Sequence, residues 1–256
     1  PNIHLISYNT WFPYQLKFRF RWLFDLLMRR QAELILSRVG DQLDLVWDFD
    51  NAYQFSDLRV FGAKLNVFHP VDDLPKKMHS SKSADVVLSN SERYLDRVLP
   101  LPAHSQVIDH GLSPEFVKRA KEVSRFSGEK IDEAMPGYVT VGYVGNLRRA
   151  GIDWRTILKI CKKTPSSQFL FIGPYDLIGD ANRTAVINLP NVQFIGTKTA
   201  SEIVEISKSV DIWLMAYDVQ RDIDGGTNPH KLLEYLATGK AIVTNRVQAY
   251  CESDLM

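Results

Sequence analysis

Short apolar runs alternate with amphipathic stretches along the whole chain, the pattern of parallel strands wrapped by helices. In the first half the runs at 3–7, 43–47, 65–68, 86–88 and 106–108 are predicted strands, and 15–38 and 91–98 predicted helices. Gly111-Leu112-Ser113-Pro114 closes this half with turn residues. The polar stretch 118–136 follows as a linker or boundary helix. A second alternating set begins at 138, with strands at 138–144, 168–172, 192–195, 212–215 and 241–244. Its helices are predicted at 154–162, 201–208 and 229–237. The expected fold class is α/β, with a Rossmann-like domain over 1–117, a linker over 118–137 and a second Rossmann-like domain over 138–256. A cleft between the two is expected, and no internal repeat or low-complexity tract is visible.

Composition adds mainly exclusions. A length of 256 residues fits one or two domains at roughly 100–200 residues each. Hydrophobic residues make up 45% and charged residues 24%, the ordinary mix of a globular protein with a core. A formal net charge of +1 gives no overall pull toward nucleic acid or anionic lipid. Cys161 and Cys251 match no zinc or redox spacing, so a reduced, cytoplasmic setting is expected. No apolar run approaches the ~20 residues of a membrane span, and none reads as a signal peptide. The chain begins at Pro1 and stops at Met256 soon after an apolar strand, which reads as a fragment lacking both ends.

The densest candidate chemistry lies at 225–243. Asn228 suits a helix N-cap and Pro229 the first helical position. Gly225, Gly226 and Thr227 let backbone N–H groups approach a ligand, and Lys231 adds a full charge on the first turn. Glu234, one turn on, can accept hydrogen bonds from a ribose diol. The same residues also describe a well-capped surface helix.

The segment Asn228-Pro229-His230-Lys231, continued by Glu234-Tyr235-Leu236-Ala237, Gly239-Lys240 and Ile242-Val243, resembles the donor-binding helix of GT-B-fold glycosyltransferases. The resemblance implies a helix start facing the donor diphosphate, with Lys231 beside it, and Glu234 on the ribose. Glu234 takes the place of the second glutamate in the family's paired-glutamate motif; Gly226 stands where the first would be. Val141-Gly142-Tyr143-Val144-Gly145-Asn146 resembles the first strand and loop of the family's donor domain, and its glycine spacing does not fit a dinucleotide fingerprint. There Gly145 and Asn146 would border the donor. The family has an arginine after the glycine and a lysine before the helix, where this chain has Asn146 and Ala150, so the resemblance implies that one of Arg148 and Arg149 meets the leaving diphosphate from a shifted position; both arginines also read as solvated surface charge. After the strand at 192–195, Gly196 and Thr197 correspond to the base-facing loop, while Thr199 and Glu202 form a capping-box pattern.

In the first half, Val67-Phe68-His69-Pro70-Val71-Asp72-Asp73 puts polar residues at the end of an apolar strand, where open α/β sheets place ligands. It resembles the acceptor-domain strand in which His69 would sit beside the sugar; a structural histidine and turn aspartates are the plain alternative. His110-Gly111 resembles the segment that closes the first domain. In the helix at 15–38, Lys17, Arg21, Asp25 and Arg29 recur every four residues opposite Phe20, Leu23, Phe24 and Leu27. That apolar face is read as core, with contact to the inner membrane face beside a lipid-linked acceptor as the alternative.

The resemblance implies glycosyl transfer from a nucleoside-diphosphate sugar to a glycan or lipid-linked acceptor, in cell-surface polysaccharide or glycolipid synthesis. It implies no metal or other cofactor, retained anomeric configuration, a cytoplasmic or peripheral-membrane location, and no nucleic-acid partner. A nucleotide-sugar epimerase of the same fold and a non-catalytic nucleotide-binding module remain open beside it.

Overall fold

The computed structural model describes residues 3–40, 42–49, 54–70, 80–96, 98, 101–102, 104–127, 139–176, 180–218 and 229–247. The chain divides into two compact units, Pro1–Asp109 and His110–Met256.

In the first unit α1 (Leu16–Arg19) and α2 (Arg21–Val39) precede a parallel sheet. Its strands lie in the order β1 (Leu45–Asp48), β2 (Leu65–Phe68), β3 (Val86–Ser89) and β4 (Gln106–Val107), with α3 (Glu92–Leu95) after β3. Phe68, Val87, Leu58 and Val98 are fully or almost fully buried and form its core. Two expectations are corrected here. The long helix at 15–38 is broken at Phe20, whose φ of −136° and ψ of 65° leave the helical region. Phe24, Met28, Gln31 and Ala32 are buried, an i, i+4, i+7, i+8 stripe, while Phe20 is half exposed. The second correction is at 3–7, which forms no strand; Ile3 and Leu5 are 89% and 91% exposed. Apolar alternation makes a strand only where a neighbour takes its backbone hydrogen bonds. Arg21 and Asp25 pair at 2.9 Å, as the four-residue spacing predicts.

The second unit opens with α4 (Pro114–Ser127), whose Phe116, Ala120 and Val123 pack with Val204. The polar stretch expected to link the two halves is thus helical to Ser127, and its apolar stripe buries against this unit. A five-stranded parallel sheet follows, β5 (Thr140–Val144), β6 (Gln168–Ile172), β7 (Val192–Phe194), β8 (Ile212–Met215) and β9 (Ala241–Thr244). Its spatial order is β7-β6-β5-β8-β9. The chain builds outward from β5 to β7, then returns to place β8 on the other side of β5, so the winding reverses beside β5.

Helices cover both faces, as a parallel sheet requires. On one face Tyr143, Phe169 and Phe171 pack with Trp154 and Ile157 of α5 (Trp154–Lys163). On the other, Val144, Ile172 and Trp213 pack with Ile203 of α7 (Ala200–Ile206) and with Leu232 and Tyr235 of α8 (His230–Ala237). Successive residues of β5 and β6 go to opposite cores, the two-residue period of a strand. The Trp213 ring lies against Gly142, where a Cβ would overlap it. Between β6 and β7 runs a helix the sequence pattern did not predict, α6 (Ala181–Ile187), capped by the Asp180 carboxylate on the N–H groups of Asn182 and Arg183. The Thr199–Glu202 capping box forms as expected at α7.

Candidate functional site

The sheet of the second unit has its winding reversal between β5 and β8, and a doubly wound sheet binds ligands at the carboxyl ends of the strands flanking such a point. Here the two strands separate early. β5 pairs with β6 along Thr140–Val144, but its partners on β8 are only Val141 with Ile212 and Gly142 with Trp213. Val144 lies beyond them, and Tyr235 of α8 fills the gap. Its hydroxyl accepts from the Val144 N–H at 2.7 Å and donates to the Val144 carbonyl at 3.2 Å. Tyr235 is buried and its ring stacks on Trp213, with centroids 4.7 Å apart and planes 5° off parallel. Trp213 in turn donates its indole N–H to the Thr238 hydroxyl at 2.9 Å. Burial pushes the Tyr235 phenol well above its usual range, so it remains protonated and able to donate. The second half of α8 is thereby tied to the end of β5.

Three glycines line the carboxyl ends of β5, β6 and β7. The Gly145 N–H donates to the Ile172 carbonyl at 2.9 Å, and the Gly173 N–H donates to the Gly196 carbonyl at 2.8 Å. Gly173 has a φ of 142°, and a Cβ there would overlap the Gly145 carbonyl oxygen. A side chain is excluded on both counts. Gly196 has a φ of 73°, with Thr197 exposed beside it. Gly145 and Gly196 were candidates from the sequence. Gly173 was not, although a glycine directly after an apolar strand and before Pro174 is a readable signal.

The loop after β5 carries the basic residues. Asn146 is exposed; its side-chain oxygen accepts from the Arg148 N–H at 3.2 Å and its carbonyl from the Arg149 N–H at 3.0 Å. Arg148 pairs with Asp176 at 3.0 Å, both side chains half exposed. The Arg149 guanidinium lies 5.7 Å from the centre of the Tyr217 ring. Tyr217 follows β8 and bridges to Ile152, and Asp153 N–H donates to the Ala216 carbonyl at 3.0 Å. The loops after β5 and β8 are therefore fastened together across the reversal point.

Pro229 occupies the cap position of α8 and the helix begins at His230, one residue later than expected. Asn228, Gly226 and Thr227 lie outside the described residues, as do Asp72 and Asp73. Lys231 and Glu234, expected to serve different parts of a donor, are paired with each other. The Lys231 ammonium is 2.8 Å from both Glu234 carboxylate oxygens, and His230 Nδ1 lies 3.4 Å from one of them. Glu234 is buried, at 7% exposure. An ammonium has three donors, so this pairing leaves Lys231 one direction for a further acceptor. His230 Nε2 is also 3.2 Å from the Gly111 carbonyl, and its ring meets His110 edge-on at 5.4 Å. One end of one sheet thus gathers Gly145, Asn146, Arg148, Arg149, Gly196, Thr197, Lys231 and Glu234.

His69 belongs to the other unit. It follows β2 and donates its backbone N–H to the Asp48 carbonyl at 2.8 Å. Its ring packs against Trp47 and Phe49, at centroid distances of 5.9 and 5.3 Å, and those two stack on each other at 5.4 Å. This aromatic group at the carboxyl ends of β1 and β2 was not anticipated from the sequence.

Two parallel α/β units, the second wound around a glycine-lined reversal point, match solved glycosyltransferases. HepE of Anabaena, solved with UDP and glucose, superposes with a TM-score of 0.55 at 16% identity over 88% of this chain and 64% of its own. The chain has the GT-B fold. A UDP-forming α,α-trehalose-phosphate synthase from Burkholderia vietnamiensis gives a TM-score of 0.58 at 13% identity, covering 94% of this chain and 66% of its own. In sequence, TuaH of Bacillus subtilis (strain 168), assigned as a teichuronic acid biosynthesis glycosyltransferase, is 30% identical over 105 residues. That match covers 41% of this chain and 26% of TuaH. This GT-B chain therefore corresponds to a part of each relative. No family model matches it.

Proposed function

We propose that the protein containing this chain is a glycosyltransferase that moves a sugar from a nucleoside-diphosphate sugar to a glycan or lipid-linked acceptor. The observation that carries this reading is the convergence at the β5–β8 reversal point. Glycine-lined strand ends give backbone access, the Arg148–Arg149 loop gives positive charge, and α8 brings Lys231 and Glu234 to the same edge. The UDP bound to HepE and the role assigned to TuaH point to a uridine donor and to cell-surface polysaccharide or glycolipid synthesis.

In this reading the diphosphate lies between the Arg148–Arg149 loop and the start of α8, where Lys231 offers its remaining donor direction. Negative charge grows on the leaving diphosphate during transfer, and fixed cations and backbone N–H groups that meet it there lower the barrier. Those cations take the part a divalent metal would otherwise play, so turnover is metal-independent. Glu234 accepts from the ribose hydroxyls, and Gly196 and Thr197 border the base. His69, with the Trp47–Phe49 stack beside it, serves the sugar and acceptor side. The location is cytoplasmic, with a peripheral contact at the inner membrane face through α1 and α2. There Phe18 and Trp22 are 77% and 70% exposed, and Arg19 and Arg29 on the same two helices are exposed. No described helix is long and apolar enough to cross a membrane.

Incubating the full-length protein with a panel of nucleotide sugars, with and without EDTA, tests the reading. Release of nucleoside diphosphate that persists in EDTA is expected. Epimerised donor without release, or no reaction with any donor and acceptor tried, would contradict it.

A further inference from the structure

The second unit buries one arginine that the donor-site reading does not use. Arg183 lies on α6 and is 5% exposed, yet its guanidinium crosses to the loop after β5 and donates from Nη1 to the Leu147 carbonyl at 3.2 Å. Arginine is among the residues least often buried, since losing water costs more than most packing returns. A volume-filling role at this position needs no charge.

Leu147 is the fixed point of the loop. Its side chain is fully buried and its N–H donates to the Pro174 carbonyl at 3.0 Å. Pro174 follows Gly173, the residue pressed against Gly145. One residue therefore anchors the loop to the end of β6 through its N–H and to α6 through its carbonyl. Arg148 and Arg149, the next two residues, leave that anchor with exposed side chains.

We propose that Arg183 is a positioning residue of the donor site: by holding the Leu147 carbonyl it fixes the loop that presents Arg148 and Arg149 to the donor diphosphate. The proposal rests on the donor-site reading for its ligand, and on the Arg183–Leu147 contact for its mechanism. The anchor restricts where the two arginines can reach before the ligand arrives, which lowers the ordering cost at binding.

The experiment uses the full-length protein with Arg183→Met, which keeps most of the side-chain volume, and Arg183→Lys, which keeps the charge. Amide hydrogen exchange is followed over 145–152, and affinities for uridine and UDP are measured side by side. In Arg183→Met, loop exchange is expected to rise about tenfold or more while β5 and β6 amides stay as in wild type. UDP affinity is expected to fall about tenfold, the size of one lost charge-assisted contact, with uridine changed far less. Arg183→Lys should lie between the two. Unchanged loop exchange in a folded Arg183→Met protein, or equal losses for uridine and UDP, would overturn the proposal. If Arg183→Met does not fold, Arg183→Lys must loosen the loop by itself, and a wild-type loop there would overturn the proposal equally. A wild type that binds no nucleoside diphosphate removes the donor-site reading, whereas the exchange data still decide whether Arg183 fixes the loop.

Discussion

Tyr235 and Val144 exchange two hydrogen bonds across 91 positions of sequence, the phenol accepting from the N–H at 2.7 Å and donating to the carbonyl at 3.2 Å. The contact stands where β8 has diverged from β5, so a side chain satisfies two backbone groups that a strand would otherwise pair. Tyr235→Phe leaves both buried and unpartnered. A loss of about 1–3 kcal/mol in unfolding free energy is expected. Urea denaturation of wild type and variant checks this; unchanged stability would mean the gap is satisfied in another way.

Gly173 cannot carry a side chain without moving the Gly145 backbone. Gly173→Ala should destabilise the protein by roughly 1–3 kcal/mol from backbone strain, with the overlap adding to it. Gly111→Ala is the control, since a Cβ there meets nothing within 4 Å. Thermal melts of the two variants should separate clearly, with Gly111→Ala near wild type.

Glu234 is the proposed ribose ligand. Glu234→Ala should weaken nucleoside binding by roughly ten- to a hundredfold, the effect of removing a charged hydrogen-bond partner worth about 1.5–3 kcal/mol. Glu234→Gln should recover part of the loss, because the amide oxygen still accepts. Equilibrium titration with the bare nucleoside is the check, and wild-type affinity in folded Glu234→Ala would remove the assignment.

Alkaline pH should weaken the fold through Cys161. Burial raises its thiol from 9.0 to about 12, so the folded state holds the proton more tightly than the unfolded state. Stability from this group is full below about 9, falls as pH rises from there, and is gone by about 12. Cys161→Ala should show a shallower decline over that window in denaturant melts. Iodoacetamide at pH 8 should label Cys161 only as fast as the protein opens.

Strands β2, β6, β8 and β9 lie at the predicted positions, because each is a short apolar run with polar flanks that pairs with at least one neighbouring strand. The run at 3–7 has the same apolar character and is not a strand, since pairing is not a property of the run itself. Helix α6 is not legible in the sequence because Ala181–Ile187 is too short for a clear apolar period, though Asp180 is a readable cap. The candidate site was legible where chemistry sits in a contiguous motif, as with Lys231 and Glu234. Contacts between distant segments are not: the Tyr235–Val144 link and the Arg183–Leu147 contact join residues that carry no local mark, and the glycines at 145 and 173 each mark a turn without marking their approach to one another. The Lys231–Glu234 pair itself follows from i, i+3 spacing on one helix face, a spacing that equally lets each residue face a ligand.

A diphosphate held at the start of α8 is central to the proposed function. Calorimetry with uridine and UDP on wild type and Lys231→Ala in the full-length protein measures this directly. A unit charge pair at ~4 Å is worth about 4 kcal/mol at an effective dielectric near 20, and desolvation leaves less. Lys231→Ala should therefore lose UDP affinity by roughly tenfold or more while uridine affinity changes little. Equal losses for the two ligands, or no loss for UDP, would contradict the account and leave the Arg148–Arg149 loop as the phosphate contact.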